Sequence, residues 1–343
     1  MSRTSTLTFT AFRRPRSLSL ALVSAKPPIL ALPSEVALDI FELALLENEP
    51  KILVVVSKEI QRVINTIIYR TVTLDNVRSI QLFHRTITSR SSAELAVLVK
   101  ALAITWSPGF AQPATHRLIL DIATICTGAR TLVLPSFYNT SLRPTRTATS
   151  GRPVIRLDDP LQLTMQSFDA YTPQYLHTSS AMHAAAATPI HRFASITHLR
   201  ICEPSDYWYS PKDILDSFGA LPYLTHLQLS RRAEANEGND VIFVDHIKEI
   251  LQTRKTLKML VVSVFAPTWW CEESVLESRI WQVLDELAVA DSRLFGLVGR
   301  QGEWEKSWDG VRLRTPAPVS FWETVRLTPA VEVDACVDDA THF

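Results

Sequence analysis

From residue 32 onward, apolar positions recur first at helical spacing and then in short strand-like runs. The segment LPSEVALDIFELALL, residues 32–46, places Val36, Ile40, Leu43 and Ala44 at helical intervals with Phe41 beside them. Ser34 is a good capping residue and Glu35 opens the first turn, where a negative charge is favourable. Asn48, Glu49 and Pro50 break the pattern, so a helix is predicted to stop there. A second apolar stretch runs from Ile52 to Leu74. In it Ser57 is a plausible cap, and Ile60, Val63, Ile64, Ile67 and Ile68 fall on one helical face. The β-branched TVTL at 71–74 then predicts a strand, and Ile80, Leu82, Phe83 and Ile87 predict a helix over 77–88.

A short motif follows and recurs: VKALAI at 99–104, ARTLVL at 129–134, ITHLRI at 196–201, LTHLQL at 224–229, LKMLVV at 257–262 and a weaker LFGLVG at 294–299. Its central leucines are Leu102, Leu132, Leu199, Leu227, Leu260 and Leu297. Most are separated by about 30 residues, a spacing typical of repeat architectures. The interval from Leu132 to Leu199 is twice as long, so one degenerate copy is expected inside it. Helical patterns precede several copies, at Leu118–Ile125, Ile214–Phe218, Val244–Leu251 and Ile280–Leu287. A helix and a short strand repeated at this period predict an α/β solenoid of stacked units with the leucines inward. The residues between them then face the other surface of the sheet.

Composition sharpens this picture. The chain has 343 residues, 46% of them hydrophobic, which is enough for a substantial core. Lys plus Arg and Asp plus Glu number 35 each, so net charge gives no reason to expect nucleic acid or an anionic membrane as partner. No apolar run reaches the length of about 18 residues that a membrane-spanning helix needs. The four cysteines, Cys126, Cys202, Cys271 and Cys336, form no CxxC pair and suit reduced buried thiols.

Residues 1–29 read as a flexible basic tail. Their acid-poor, Arg- and Ser-rich composition also resembles a mitochondrial transit peptide, and the apolar Leu18–Val23 leaves a secretory signal open. Residues 139–156, with four arginines and no acid, predict a mobile basic loop. The Ala-rich 177–189 predicts a poorly specified helix or loop, and 327–343 an acidic tail.

Motifs for catalysis are missing from the chain: GxxxxGK[ST], HExxH and GxSxG do not occur. No cofactor and no metal are expected, and the chain reads as a non-enzyme. His198 and His226 hold the same position in two copies and are predicted to lie side by side. Candidate partner-binding groups are His198, Arg200, His226 and Gln228 on strands. Tyr207, Trp208, Trp269 and Trp270 join them on loops at one rim, either as partner contacts or as loop anchors.

The segment LPSEVALDIFELAL resembles an F-box. Its continuation VSKEIQRVINTIIYRTVTL, with RSIQLFHRTI after it, resembles a fungal F-box-like family. The later repeats resemble a degenerate leucine-rich array, and the end, with Trp304, Trp308, Phe321 and Trp322, is similar to the tail of those proteins. Ile60 stands where such modules often carry Trp, and the Asn that usually follows each repeat strand is missing. The resemblance implies an F-box-like helical module over 30–75 and an irregular leucine-rich-repeat-like solenoid over 76–326. It further implies docking on the Skp-type adaptor of a cullin-RING ubiquitin ligase through Leu32, Pro33, Val36, Ile40, Phe41, Leu53, Val56 and Ile60. The repeat surface would then select an unknown target protein in the cytoplasm or nucleus. The alternative is an interaction scaffold without ligase coupling.

Overall fold

The computed structural model describes Ile29 and residues 32–47, 52–53, 55–89, 93–106, 113–138, 160–168, 170–171, 192–267, 274–305 and 320–327. Residues 1–28, the 139–156 and 177–189 segments, Trp269, Trp270 and residues 328–343 lie outside the described residues.

The protein is an α/β structure built on an eight-stranded parallel sheet. Its strands are β1 (Thr71–Leu74), β2 (Ala101–Ile104), β3 (Thr131–Leu134), β4 (Leu161–Met165), β5 (Ile196–Ile201), β6 (His226–Arg232), β7 (Met259–Phe265) and β8 (Leu294–Gly299). Each strand lies beside its predecessor in the sheet, so the sheet grows in one direction. Among the described residues there are ten α-helices: α1 (Ser34–Glu47), α2 (Lys58–Arg70), α3 (Val77–Thr88), α4 (Ala93–Leu98), α5 (Pro113–Ile125), α6 (Pro211–Ser217), α7 (Glu237–Thr253), α8 (Ser274–Glu277), α9 (Arg279–Ala290) and α10 (Phe321–Leu327). The two-residue strands Phe137–Tyr138 and Ala170–Tyr171 pair separately.

Local chemistry fixes where helices begin. Ser57 accepts a hydrogen bond from the Ile60 amide at 3.2 Å and starts α2. Asn76 and Ser79 form a reciprocal capping box on α3, and Ser210 and Asp213 form another on α6, which also has Pro at its first position. Helix α2 passes into β1 with no linker, so the sheet starts inside the segment that the sequence assigned to the helical module. At Gly128, in the tight turn before β3, any side chain would strike the Val97 carbonyl.

The strand register aligns Leu102, Leu132, Leu163, Leu199, Leu227, Leu260 and Leu294 into one ladder. Strand β4, with Leu163, fills the long interval between Leu132 and Leu199. Leu297 is a correction: the ladder position in β8 belongs to Leu294, while Leu297 sits opposite Ser263 on the other face. The ladder face packs on α3, α5, α6, α7 and α9 in one continuous core that includes Ile80, Ile119, Ile214, Ile247 and Leu284.

Helices α1 and α2 have a core of their own, formed by Phe41, Leu45, Ile60, Ile64 and Ile67. The second sheet face carries two further clusters. In one, Trp304 packs with Ala103, Val133 and Cys202. In the other, Trp322 and Val325 of α10 pack on Met259 and Val261. The chain thus folds back over its own sheet after β8.

Candidate interaction surfaces

Helix α1 has two apolar faces. Ala37, Phe41 and Leu45 recur every four residues and are buried, Phe41 and Leu45 in the core shared with α2. Val36, Ile40 and Leu43 point away from that contact and are exposed, together with Leu32 ahead of the helix and Val55 and Val56 before α2. Leu43 is 64% and Val56 63% exposed, large values for apolar side chains. Pro33 is exposed as well, and its carbonyl accepts from the Ala37 amide at 3.0 Å.

The sequence-predicted contact set therefore splits. Leu32, Pro33, Val36, Ile40 and Val56 lie on the surface. Phe41 and Ile60, at 5% and 7% exposure, belong to the module's internal core, and Leu53 is half-buried against it. The reason is geometric, since an apolar helix with two apolar stripes can turn only one of them toward its partner helix.

A second surface lies at the carboxyl ends of β5 and β6, where a cleft of about 320 Å³ opens between the loop 203–210 and the start of α7. Phe168 and Tyr209 meet edge to face at 5.1 Å, and the Phe168 amide donates to Ser205 Oγ at 3.2 Å. These contacts pin the loop from below, so Tyr209 is an anchor. Tyr207, 68% exposed, stands free at the mouth. Trp208 lies over the Arg231 guanidinium at 4.5 Å. Arg231 is itself held by Asp240, with Nε donating at 2.8 Å, and by the Asn236 carbonyl at 3.3 Å. Arg232 reaches Asp206 at 3.4 Å. The cleft thus joins a flat aromatic surface to charges of both signs. Sequence reasoning found Tyr207 and Trp208 but missed Arg231, Arg232, Asp206 and Asp240. The available signal was the paired arginines at the end of β6, nine residues before Asp240.

The third surface is the second face of the sheet. Arg200 Nε donates to Gln228 Oε1 at 2.8 Å, and Gln228 Nε2 donates to Ser263 Oγ at 2.9 Å, a polar row across β5, β6 and β7. Next to it the imidazoles of His198 and His226 stack at 4.3 Å with planes 6° apart. Each Nδ1 lies 2.9 Å from the hydroxyl of the preceding Thr197 or Thr225.

The sequence led us to expect these groups on an open face. Instead α10 lies on them, with the Phe321 ring 3.7 Å from the Arg200 guanidinium and the Trp322 ring 5.7 and 5.1 Å from His198 and His226. Arg200 and Gln228 are buried as a result, at 8% and 4% exposure, and both histidines are half-buried. Apolar Met259 and Val261 on this face supply the reason, because they recruit Trp322 and Val325 out of water.

Burial pushes both imidazoles down, His226 to about 4 with the His198 ring adding to the effect. Burial also lowers Arg200 and raises the Cys202 thiol beside it. Among the described residues no carboxylate pairs with Arg200. Nor does any group of three or more His, Cys, Asp and Glu gather there as a metal site would require. No helix among the described residues is long and apolar enough to cross a membrane. No protein-family model, curated protein or solved structure matches the chain.

Proposed function

We propose that the chain is a substrate-recognition adaptor in which α1 docks on the Skp-type adaptor of a cullin-RING ubiquitin ligase and the sheet unit holds a target protein. The observation that carries this reading is the second apolar stripe of α1. Leu32, Val36, Ile40 and Leu43 stay in water although the same helix is pinned by a buried core on its other side. Each such side chain contributes about 1.5–3 kcal/mol when fully buried, so a partner groove that takes the stripe gains a substantial driving force.

The one-directional parallel sheet, with helices packed on its ladder face, supports the reading of the body as a degenerate leucine-rich-repeat solenoid. Target contact falls to the cleft with Tyr207 and Trp208 and to the face carrying His198, Arg200, His226 and Gln228. The chain performs no catalysis in this role. It raises the concentration of a target near the ubiquitin-charged enzyme, in the cytoplasm or nucleus.

The test is capture of a purified Skp-type adaptor by the wild-type chain and by Val36→Asp plus Ile40→Asp, with Leu32→Ala plus Pro33→Ala as a milder pair. Wild type is expected to bind, and the charged pair to lose at least tenfold in affinity while keeping its circular dichroism spectrum. The burial of Phe41 and Ile60 shortens the contact set and favours the second reading, an interaction scaffold without ligase coupling. A folded wild-type chain that captures no adaptor would put that reading in place of the first.

A further inference from the structure

The second face of the sheet is polar where α10 covers it. A face meant only as core carries apolar side chains, as Met259 and Val261 do in β7. Strands β5 and β6 put Arg200, Gln228, His198 and His226 there instead, all hydrogen-bonding groups. Arg200 is buried without a carboxylate partner among the described residues. A guanidinium taken out of water is costly unless an anion compensates it, and the Phe321 ring compensates only in part.

The covering helix is short. It has seven residues, too few to be stable alone, so the contacts of Phe321, Trp322 and Val325 keep it in place. Its start is fixed by a capping pair at the surface: the Glu323 amide donates to Ser320 Oγ at 3.3 Å, and the Ser320 amide donates to Glu323 Oε2 at 3.1 Å. Local opening of such an element leaves the sheet and its ladder core intact.

We infer that the face formed by Arg200, Gln228 and the stacked His198–His226 pair binds a peptide segment carrying an aromatic side chain next to an Asp or Glu, and that α10 is an intramolecular occupant that such a peptide displaces. The aromatic residue takes the place of Trp322 over the imidazoles, and the carboxylate supplies the anion that Arg200 lacks among the described residues. The peptide outcompetes α10 because it satisfies the charge that α10 leaves uncompensated. As the target surface of the proposed function it rests on that reading, but the binding itself needs no ligase.

The probe is a fluorescently labelled peptide spanning residues 316–329 with Phe321→Glu, which sets a carboxylate beside Trp322, and a control peptide with Phe321→Lys. Fluorescence polarisation is measured on the full-length wild-type chain, on Phe321→Ala, and on Ser320→Ala plus Glu323→Ala, which removes the capping pair at exposed positions. The Glu peptide is expected to bind both loosened chains at least tenfold tighter than wild type, and at least tenfold tighter than the Lys peptide does. Equal binding of the two peptides would overturn the role of Arg200. Equal binding to wild-type and loosened chains would overturn displacement of α10. No binding to loosened chains with native circular dichroism would overturn the site. If Phe321→Ala does not fold, the capping variant decides alone. Adaptor capture on the same variants depends on α1 and stays at the wild-type level, so failure of this site and failure of the adaptor reading are separately visible.

Discussion

The stacked imidazoles of His198 and His226 show how much a single residue position means in this fold. Their equivalence is legible in the sequence, because each precedes a ladder leucine, and the register indeed sets them side by side. Their chemistry is not legible, since it comes from Trp322, far along the chain. Around the pair stand the Thr197 and Thr225 hydroxyls and two cations, Lys258 and Arg326, which add to burial in disfavouring an imidazolium. Burial holds His226 near 4, below its ordinary value of 6.5. The unfolded chain therefore takes up the proton first, and the stability that α10 gains from covering neutral imidazoles is lost as pH falls from about 6.5 toward 4. In an NMR titration the His226 midpoint is expected near 4 in the wild-type chain and closer to 6.5 in Trp322→Ala. A wild-type midpoint at the ordinary imidazole value would mean that α10 does not cover the pair.

Among the elements, α1 and β8 teach the same lesson from opposite directions. Helix α1 has apolar residues on two faces, and periodicity alone gives no rule for which face turns inward. The α2 stripe of Ile60, Ile64 and Ile67 makes that choice by meeting Phe41 and Leu45. Replacing Ile64, which is fully buried, by Ala is expected to cost about 2–5 kcal/mol, the range for truncating a core aliphatic side chain. Replacing Leu43 by Ala is expected to change stability by no more than about 0.5 kcal/mol, as at other surface sites. Urea unfolding measures both, and a Leu43→Ala loss as large as that of Ile64→Ala would place the buried face on the wrong side of α1. In β8 the sequence LFGLVG offers Leu294 and Leu297 as ladder positions. Both faces of the strand carry apolar residues, Phe295 and Leu297 meeting α10, so the alternation that would identify the inner face is blurred.

At the level of the whole molecule, strands that follow one another in order touch only their neighbours, and such a sheet is expected to open unit by unit. The segment after β8 changes that. The Gly302 amide donates to Glu203 Oε1 at 2.6 Å, at the end of β5, and Trp304 reaches Ala103 and Val133 in β2 and β3. The far end of the chain is thereby tied to the early half of the sheet. Hydrogen exchange should accordingly rise at β2 and β3 amides in Trp304→Ala, with α2 unaffected. Exchange that rises only at β8 would show that the tie carries no stability.

What the sequence determined by itself is whatever short-range pattern encodes. Helical spacing and capping residues set α1, α2, α3 and α7, and the leucine period of about 30 set an α/β stack with a hidden copy between Leu132 and Leu199, which the strand register places at Leu163. What only the tertiary structure decided is which of two apolar faces is buried and what lies over the polar row. Those outcomes depend on contacts between residues far apart in sequence: Phe41 and Leu45 against α2, Trp304 against β2 and β3, Phe321 over Arg200 and Trp322 over the histidines. Hydrophobic burial is non-directional, so the chain encodes that these groups must leave water, while the fold selects the surface on which they do so.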